Sequence, residues 1–178
     1  MILSIDPGMN HPAAALFEDR KLVRAARVRL PITLKRLPVG ERCRRIAKLI
    51  AETTEQWAGG KGRIRHAVIE WPRTYGHGKS KGDSADLFPL AAIGCAVGAL
   101  LDVEITSYLP QEWIGQVRKF EKGDPWESPR GQMIARRLSE NERECVTDSH
   151  DAIDAVGIGL KYLGRLEPVR VFPGATPG

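Results

Sequence analysis

The chain is poor in cysteine and has no long hydrophobic run. Cys43, Cys95 and Cys145 are its three cysteines in 178 residues, widely spaced and odd in number. That argues against a disulfide framework and against a cysteine-rich zinc site. A reducing, cytoplasmic compartment is the simplest expectation. No apolar stretch reaches the roughly 18 residues of a membrane-spanning helix. The longest, Leu87 to Leu101, is interrupted by Pro89, so no membrane partner is expected. No basic segment precedes an apolar one at the N-terminus, so no secretory signal is expected either. The 12 prolines and 18 glycines stay below low-complexity levels, which excludes fibrous and disordered classes. The 42% of hydrophobic residues suffices for one core, and the length is short for two. Residues 1–164 are read as that single domain and 165–178 as a proline-bearing tail.

The charge is +5 overall but unevenly spread. Arg20 to Lys48 holds eleven Lys or Arg against one acid, Glu41, and Lys61 to Lys81 holds six against Glu70 alone. Glu121 to Asp154 reverses the balance, with nine acids and five bases. A basic first half fits a polyanion such as nucleic acid, or simply a solvated surface.

Three strands are expected first: Met1 to Asp6, Ala13 to Phe17 and Leu22 to Leu30, the last two joined by a short hairpin. Glu41 to Trp57 has helical spacing of Ile46, Leu49, Ile50 and Trp57, and Gly59-Gly60 stops it. A strand, Ile64 to Glu70, leads into a Gly- and Lys-rich loop, Arg73 to Asp83. A helix from Ser84 to Leu101 follows, capped by Asp83 or Ser84, then a strand, Val103 to Tyr108. Short helices are expected over Pro110 to Lys119 and Gly131 to Leu138, with a loop from Phe120 to Pro129 between them. A last helix opens at Thr147 or Asp148 and runs to Leu163. Three strands with a hairpin, then alternation, imply an α/β fold: a mixed sheet covered by helices on both faces.

Four acids occur where folding alone does not call for them. Asp6 closes the apolar strand Ile2-Leu3-Ser4-Ile5, and Glu70 closes Ala67-Val68-Ile69. Asp151 and Asp154 are three apart, hence on one face of an otherwise apolar helix. If they converge, their mutual repulsion is relieved by a divalent cation, and oxygen-only ligands suit Mg²⁺, with Mn²⁺ able to substitute. Two such ions clamp the attacking and leaving oxygens of a phosphodiester. Each acid also has a plainer reading. Asp6 before Pro7-Gly8 can be a turn former, Glu70 can face solvent, and Asp148 with Asp151 can be a helix cap and its partner.

Ile5-Asp6-Pro7-Gly8, Ile69-Glu70 and Asp151-Ala152-Ile153-Asp154-Ala155 together resemble the RuvC family of Holliday-junction resolvases. The resemblance spans Met1 to about Leu163, and it is that of a divergent, phage-type relative acting in the host cytoplasm. It implies an RNase H-like fold and a homodimeric, Mg²⁺-dependent endonuclease that nicks two opposed strands of a four-way junction. It makes Asp6, Glu70, Asp151 and Asp154 the metal-binding catalytic acids. It also implies a cation before the last helix, for which Lys122 and Arg130 both stand, and an auxiliary role for His150.

The loop after Glu70 brings Trp71, Arg73, Tyr75, His77, Lys79 and Lys81, a mixture suited to stacking on unpaired bases and holding phosphates. Trp71 can instead pack under the sheet edge. Arg42, Arg45 and Lys48 on the first long helix can grip DNA or be a solvated face. Gly94 and Gly98 allow close packing, inside the domain or between copies. The alternatives to a junction-resolving nuclease are an RNase H-like enzyme acting on RNA or RNA–DNA hybrid, and a junction-binding protein without cleavage.

Overall fold

The computed structural model describes residues 1–72, 84–114, 117, 123–147 and 149–166. Its centre is a five-stranded sheet in the order β3-β2-β1-β4-β5. Strands β1 (Ile2–Asp6), β2 (Ala13–Glu18) and β3 (Lys21–Arg27) are antiparallel neighbours, while β4 (His66–Glu70) runs parallel to β1 and β5 (Glu104–Tyr108) parallel to β4. The hairpin between β2 and β3 is tighter than the sequence suggests. Asp19 and Arg20 alone form it, both in the left-handed region at φ 48° and 67°, which matches the twist of the flanking strands. Arg20 is held there by a 2.7 Å hydrogen bond from its guanidinium to the Leu163 carbonyl.

The helices are α1 (Val39–Trp57), α2 (Ser84–Leu101), α3 (Pro110–Trp113), α4 (Pro129–Ala135), α5 (Glu140–Glu144) and α6 (His150–Tyr162). The sheet separates two cores. On one side α1 and α2 bury Ile46, Ile50, Ile93 and Val97 against Leu3, Ile5 and Ile69. On the other, α6 buries Ile153, Val156, Ile158 and Leu160 with Phe17, Val68 and Trp113. The central strands are therefore apolar on both faces, which is why Ala67-Val68-Ile69 reads as a continuous apolar run. Gly94 and Gly98 serve this internal packing. A Cβ at either would stand 2.8 Å from Ile69 Cδ1 or 2.2 Å from Ile105 Cδ1.

Several boundaries differ from the sequence reading. β3 stops at Arg27, not Leu30, because the chain leaves the sheet for a 3₁₀ turn at Ile32–Arg36. The helix opening at Pro110 is α3 and ends at Trp113 rather than Lys119, with Ile114 closing its last turn. The expected loop before Pro129 contains a 3₁₀ turn, Pro125–Glu127. α4 begins at Pro129 and ends at Ala135, earlier than Gly131 to Leu138, because Ser128 caps it. α5 has no counterpart in the sequence reading, although Ser139 and Glu142 form a full capping box. α6 is capped by Ser149, whose hydroxyl accepts from Ala152 N–H at 3.3 Å, and not by Thr147. Arg165 and Leu166 pack on the domain, Leu166 buried and Arg165 bonded to Glu142. The rest of the expected tail, 167–178, lies outside the described residues.

The outer edge of β3 is covered by a parallel bridge from Ala25 to Val146. Ala25 N–H donates to the Cys145 carbonyl at 2.8 Å, and Thr147 N–H donates to the Ala25 carbonyl at 3.0 Å.

Candidate active site

Ile5 of β1 lies beside Ile69 of β4, so Asp6 and Glu70 end neighbouring parallel strands side by side. Side chains alternate along a strand. Leu3, Ile5 and Ile69 face α1 and α2, whereas Val68 faces α6 and Ser4 reaches it. Asp6 and Glu70 therefore share the α6 face. Ser4 fixes that helix, since its buried hydroxyl lies 2.6 Å from the Ala155 carbonyl and 3.3 Å from that of Ala15. One residue before Ala155 is Asp154, and one turn further back is Asp151. Gly159 lets the helix come this close, because a Cβ there would stand 2.2 Å from Phe17 Cε2 and 2.8 Å from Ser4 Oγ.

Both helix acids are held by arginines. Arg27, at the end of β3, donates from Nε to Asp151 Oδ2 at 2.7 Å, with Nη2 at 2.5 Å from the same oxygen. Arg130, in α4, places Nη1 2.8 Å from each oxygen of Asp154. The second pair is deeper, at 11% and 7% side-chain exposure. Buried carboxylates need such neutralisation, because an uncompensated charge there is costly.

Trp113 ties the two halves together. It is fully buried, and its Nε1–H donates to Glu70 Oε2 at 2.8 Å. The Arg130 guanidinium lies 5.6 Å from its ring centre, within cation–π range. Its ring edge fills the space over Gly157 of α6, where a Cβ would come within 2.4 Å. Glu70, Trp113, Arg130 and Asp154 thus form one connected chain of interactions.

Sequence reasoning missed Trp113, Arg27 and Ser4. A tryptophan after Pro110 and a serine inside an apolar strand carry a faint signal. An arginine at a strand end carries none, because its partner is 124 residues away.

Among the described residues, no three His, Cys, Asp or Glu side chains are gathered closely enough to hold a metal ion as they stand. In this arrangement arginines engage the oxygens of Asp151 and Asp154. The donor set still fits a hard divalent cation. Four carboxylates from three elements lie at one end of the sheet, and the buried Nε2 of His150 lacks a hydrogen-bond partner. Oxygen donors of this kind suit Mg²⁺ or Mn²⁺.

Of the other expected site residues, Arg42 turns toward the loop after β1, donating to the Met9 carbonyl at 2.8 Å and Asn10 Oδ1 at 2.9 Å. Arg45 instead pairs with Glu41, and Lys48 with Glu52, on the exposed side of α1. Together Arg44 and Arg45 hold the Glu41 carboxyl down to about 2. Trp71 is exposed rather than packed under the sheet edge. Arg73, Tyr75, His77, Lys79, Lys81, Lys122 and Asp148 lie outside the described residues.

No protein-family model matches the chain, and no curated protein matches it in sequence. Solved structures do match. The structure of RuvC from Thermus thermophilus is 15% identical, with a TM-score of 0.56, over 94% of this chain and 99% of that one. The same protein in complex with a Holliday junction substrate is 16% identical, with a TM-score of 0.61, over 94% and 98%. The fowlpox virus resolvase in complex with its Holliday junction DNA is 16% identical, with a TM-score of 0.53, over 92% and 99%. The chain therefore shares the RuvC fold across nearly its whole length.

Proposed function

We propose that the chain is a structure-selective DNA endonuclease that resolves four-way junctions by paired nicking. The observation that carries this reading is the placement of four carboxylates, Asp6, Glu70, Asp151 and Asp154, at one end of the sheet in a fold whose solved examples hold Holliday junctions. These acids would hold Mg²⁺ or Mn²⁺. When bound, two such ions supply activation of the attacking water and stabilisation of the leaving oxygen. The chain's own part is to fix that site. Trp113 orients Glu70, and Ser4 and Gly159 set the height of α6, hence of Asp151 and Asp154. Arg27 and Arg130 hold the helix acids and stand where they can turn to a phosphate once released. Other basic residues grip the backbone without reading bases. Opposed nicks on a two-fold substrate need two copies, so the active form is a homodimer. Sedimentation showing only monomer, with and without junction, would refute that.

The test is cleavage of a panel of junction, flap, RNA–DNA hybrid and plain duplex substrates with Mg²⁺. Asp6→Asn, Glu70→Gln and Asp154→Asn should each abolish junction cleavage while junction binding survives. Near-wild-type nicking by any two of them would refute the site. Hybrid cleavage without junction cleavage would favour an RNase H-like activity instead. The arginine pairing of Asp151 and Asp154 favours one second reading, a junction-binding protein whose acids are structural. Junction binding with no Mg²⁺-dependent nicking would establish it.

A further inference from the structure

A cleft of about 460 Å³ opens beside the carboxylates, between the loop after β1 and the 3₁₀ turn after β3. Four cations line it, Arg27, Arg29, Lys35 and Arg42, and no acid among the described residues does. Its other wall is apolar and includes Leu30, Pro31 and Ile32. Ile32 is 79% exposed, a large apolar side chain standing open on a basic rim. Arg42 is fixed by its two bonds to Met9 and Asn10, yet its buried Nε lacks a hydrogen-bond partner. Arg27 links the cleft to the acids, since it lines the cleft while holding Asp151, and the Met9 to His11 side follows Asp6-Pro7-Gly8 in sequence.

We propose that this cleft is a nucleotide subsite for the cleaved DNA strand, taking the backbone phosphate beside the cut on Arg29, Lys35 and Arg42 and its base against Ile32. The proposal rests on the nuclease reading above and names a binding site for its substrate. Size and chemistry both select a nucleotide. The volume lies within the roughly 300–1,000 Å³ of ligand pockets, more than a bare anion fills. The positive charge of Arg29 and Lys35 disfavours an apolar peptide, and an apolar wall beside these cations suits a base next to its phosphate.

Arg29, Lys35 and Ile32 are exposed, so their replacement spares the core. Junction binding is measured in EDTA across a salt series, with circular dichroism as the check on folding. The Arg29→Ala/Lys35→Ala double variant should bind at least tenfold more weakly. Its log-affinity against log-salt slope should be shallower by about one for each phosphate no longer neutralised. A junction carrying a methylphosphonate beside the cut should weaken wild-type binding and cause little further loss in the double variant. Ile32→Ala should weaken binding to the intact junction several-fold and leave unchanged the binding of a junction that is abasic at that nucleotide. Wild-type affinity and slope in the double variant, or full additivity of variant and methylphosphonate, would overturn the subsite while leaving the nuclease reading intact. Failure of the wild-type protein to bind any branched DNA would overturn both.

Discussion

Replacing Trp113 with Phe isolates one interaction on which the site depends. The substitution keeps an aromatic ring against Gly157 and α6 but removes the N–H that donates to Glu70 at 2.8 Å. Hydrogen bonds to charged groups contribute about 1.5–3 kcal/mol. Loss of part of a fully buried ring adds a smaller packing cost, because truncation of Trp to Ala in a core costs only about 3–5 kcal/mol in full. The expected destabilisation is about 2–4 kcal/mol, read as a lowered urea midpoint with an unchanged slope. A double-mutant cycle with Glu70→Ala separates the two parts, since packing is retained in both legs. A coupling of about 1.5–3 kcal/mol is expected. Junction cleavage by Trp113→Phe should fall with little change in junction affinity, because the indole positions Glu70 and touches no DNA. A coupling below about 0.5 kcal/mol, within the scatter of independent sites, would refute the claim that Trp113 holds Glu70.

Arg130→Ala strips Asp154 of a guanidinium bonded to both oxygens in a nearly buried setting; in EDTA it should cost about 3 kcal/mol and lower Tm by on the order of 10 °C, and a wild-type Tm would contradict the pairing. Glu142, beneath Arg165 and the Leu22 and Ser139 N–H groups, has its carboxyl held down from 4.5 to about 2, with the Arg165 hydrogen bond the largest cause. A depressed folded-state pKa gives stability that is present above pH 4.5 and lost as pH falls toward 2. Glu142→Gln should therefore lose on the order of 3 kcal/mol at pH 7 and flatten the unfolding profile over that window; a mutant curve parallel to wild type would count against it. Gly159→Ala should destabilise by about 1–3 kcal/mol net of its helical gain, because its Cβ meets Phe17 and Ser4. Gly40→Ala, with nothing within 4 Å of its Cβ, should be neutral or stabilising by up to ~1 kcal/mol; equal effects at the two glycines, read by thermal melts, would contradict the packing.

The fold was legible because its strongest elements announce themselves locally. Apolar runs closed by Pro7-Gly8 and by Trp71-Pro72 marked β1 and β4, and the 3.6-residue spacing of Ile46, Ile50 and Trp57 marked α1. Short elements escaped for physical reasons. α5 is five residues long with a polar sequence, too short for a hydrophobic period and stabilised by its capping box and by Arg165 across the fold. The 3₁₀ turn at Ile32–Arg36 buries only Leu34. At the site, the four acids stood out as charges at the ends of apolar segments. Their partners did not, since Arg27 reaches Asp151 and Trp113 reaches Glu70 only once distant elements pack together. The loop residues expected to touch DNA, Arg73 to Lys81, lie outside the described residues, so their role rests on composition.

The bridge from Ala25 to Val146 bears on how copies of this protein can meet. A sheet edge with unpaired amides is a template for another strand, and a fibre growing by strand addition needs two such edges on every copy. Here the β3 edge is already engaged by 145–147 at Ala25. Among the described residues that leaves β5, five residues long, with Glu104 at its start and Ile105 partly exposed, as the edge available for pairing. Pairing through β5 would use that edge on both copies at once, so association by this route closes at a pair.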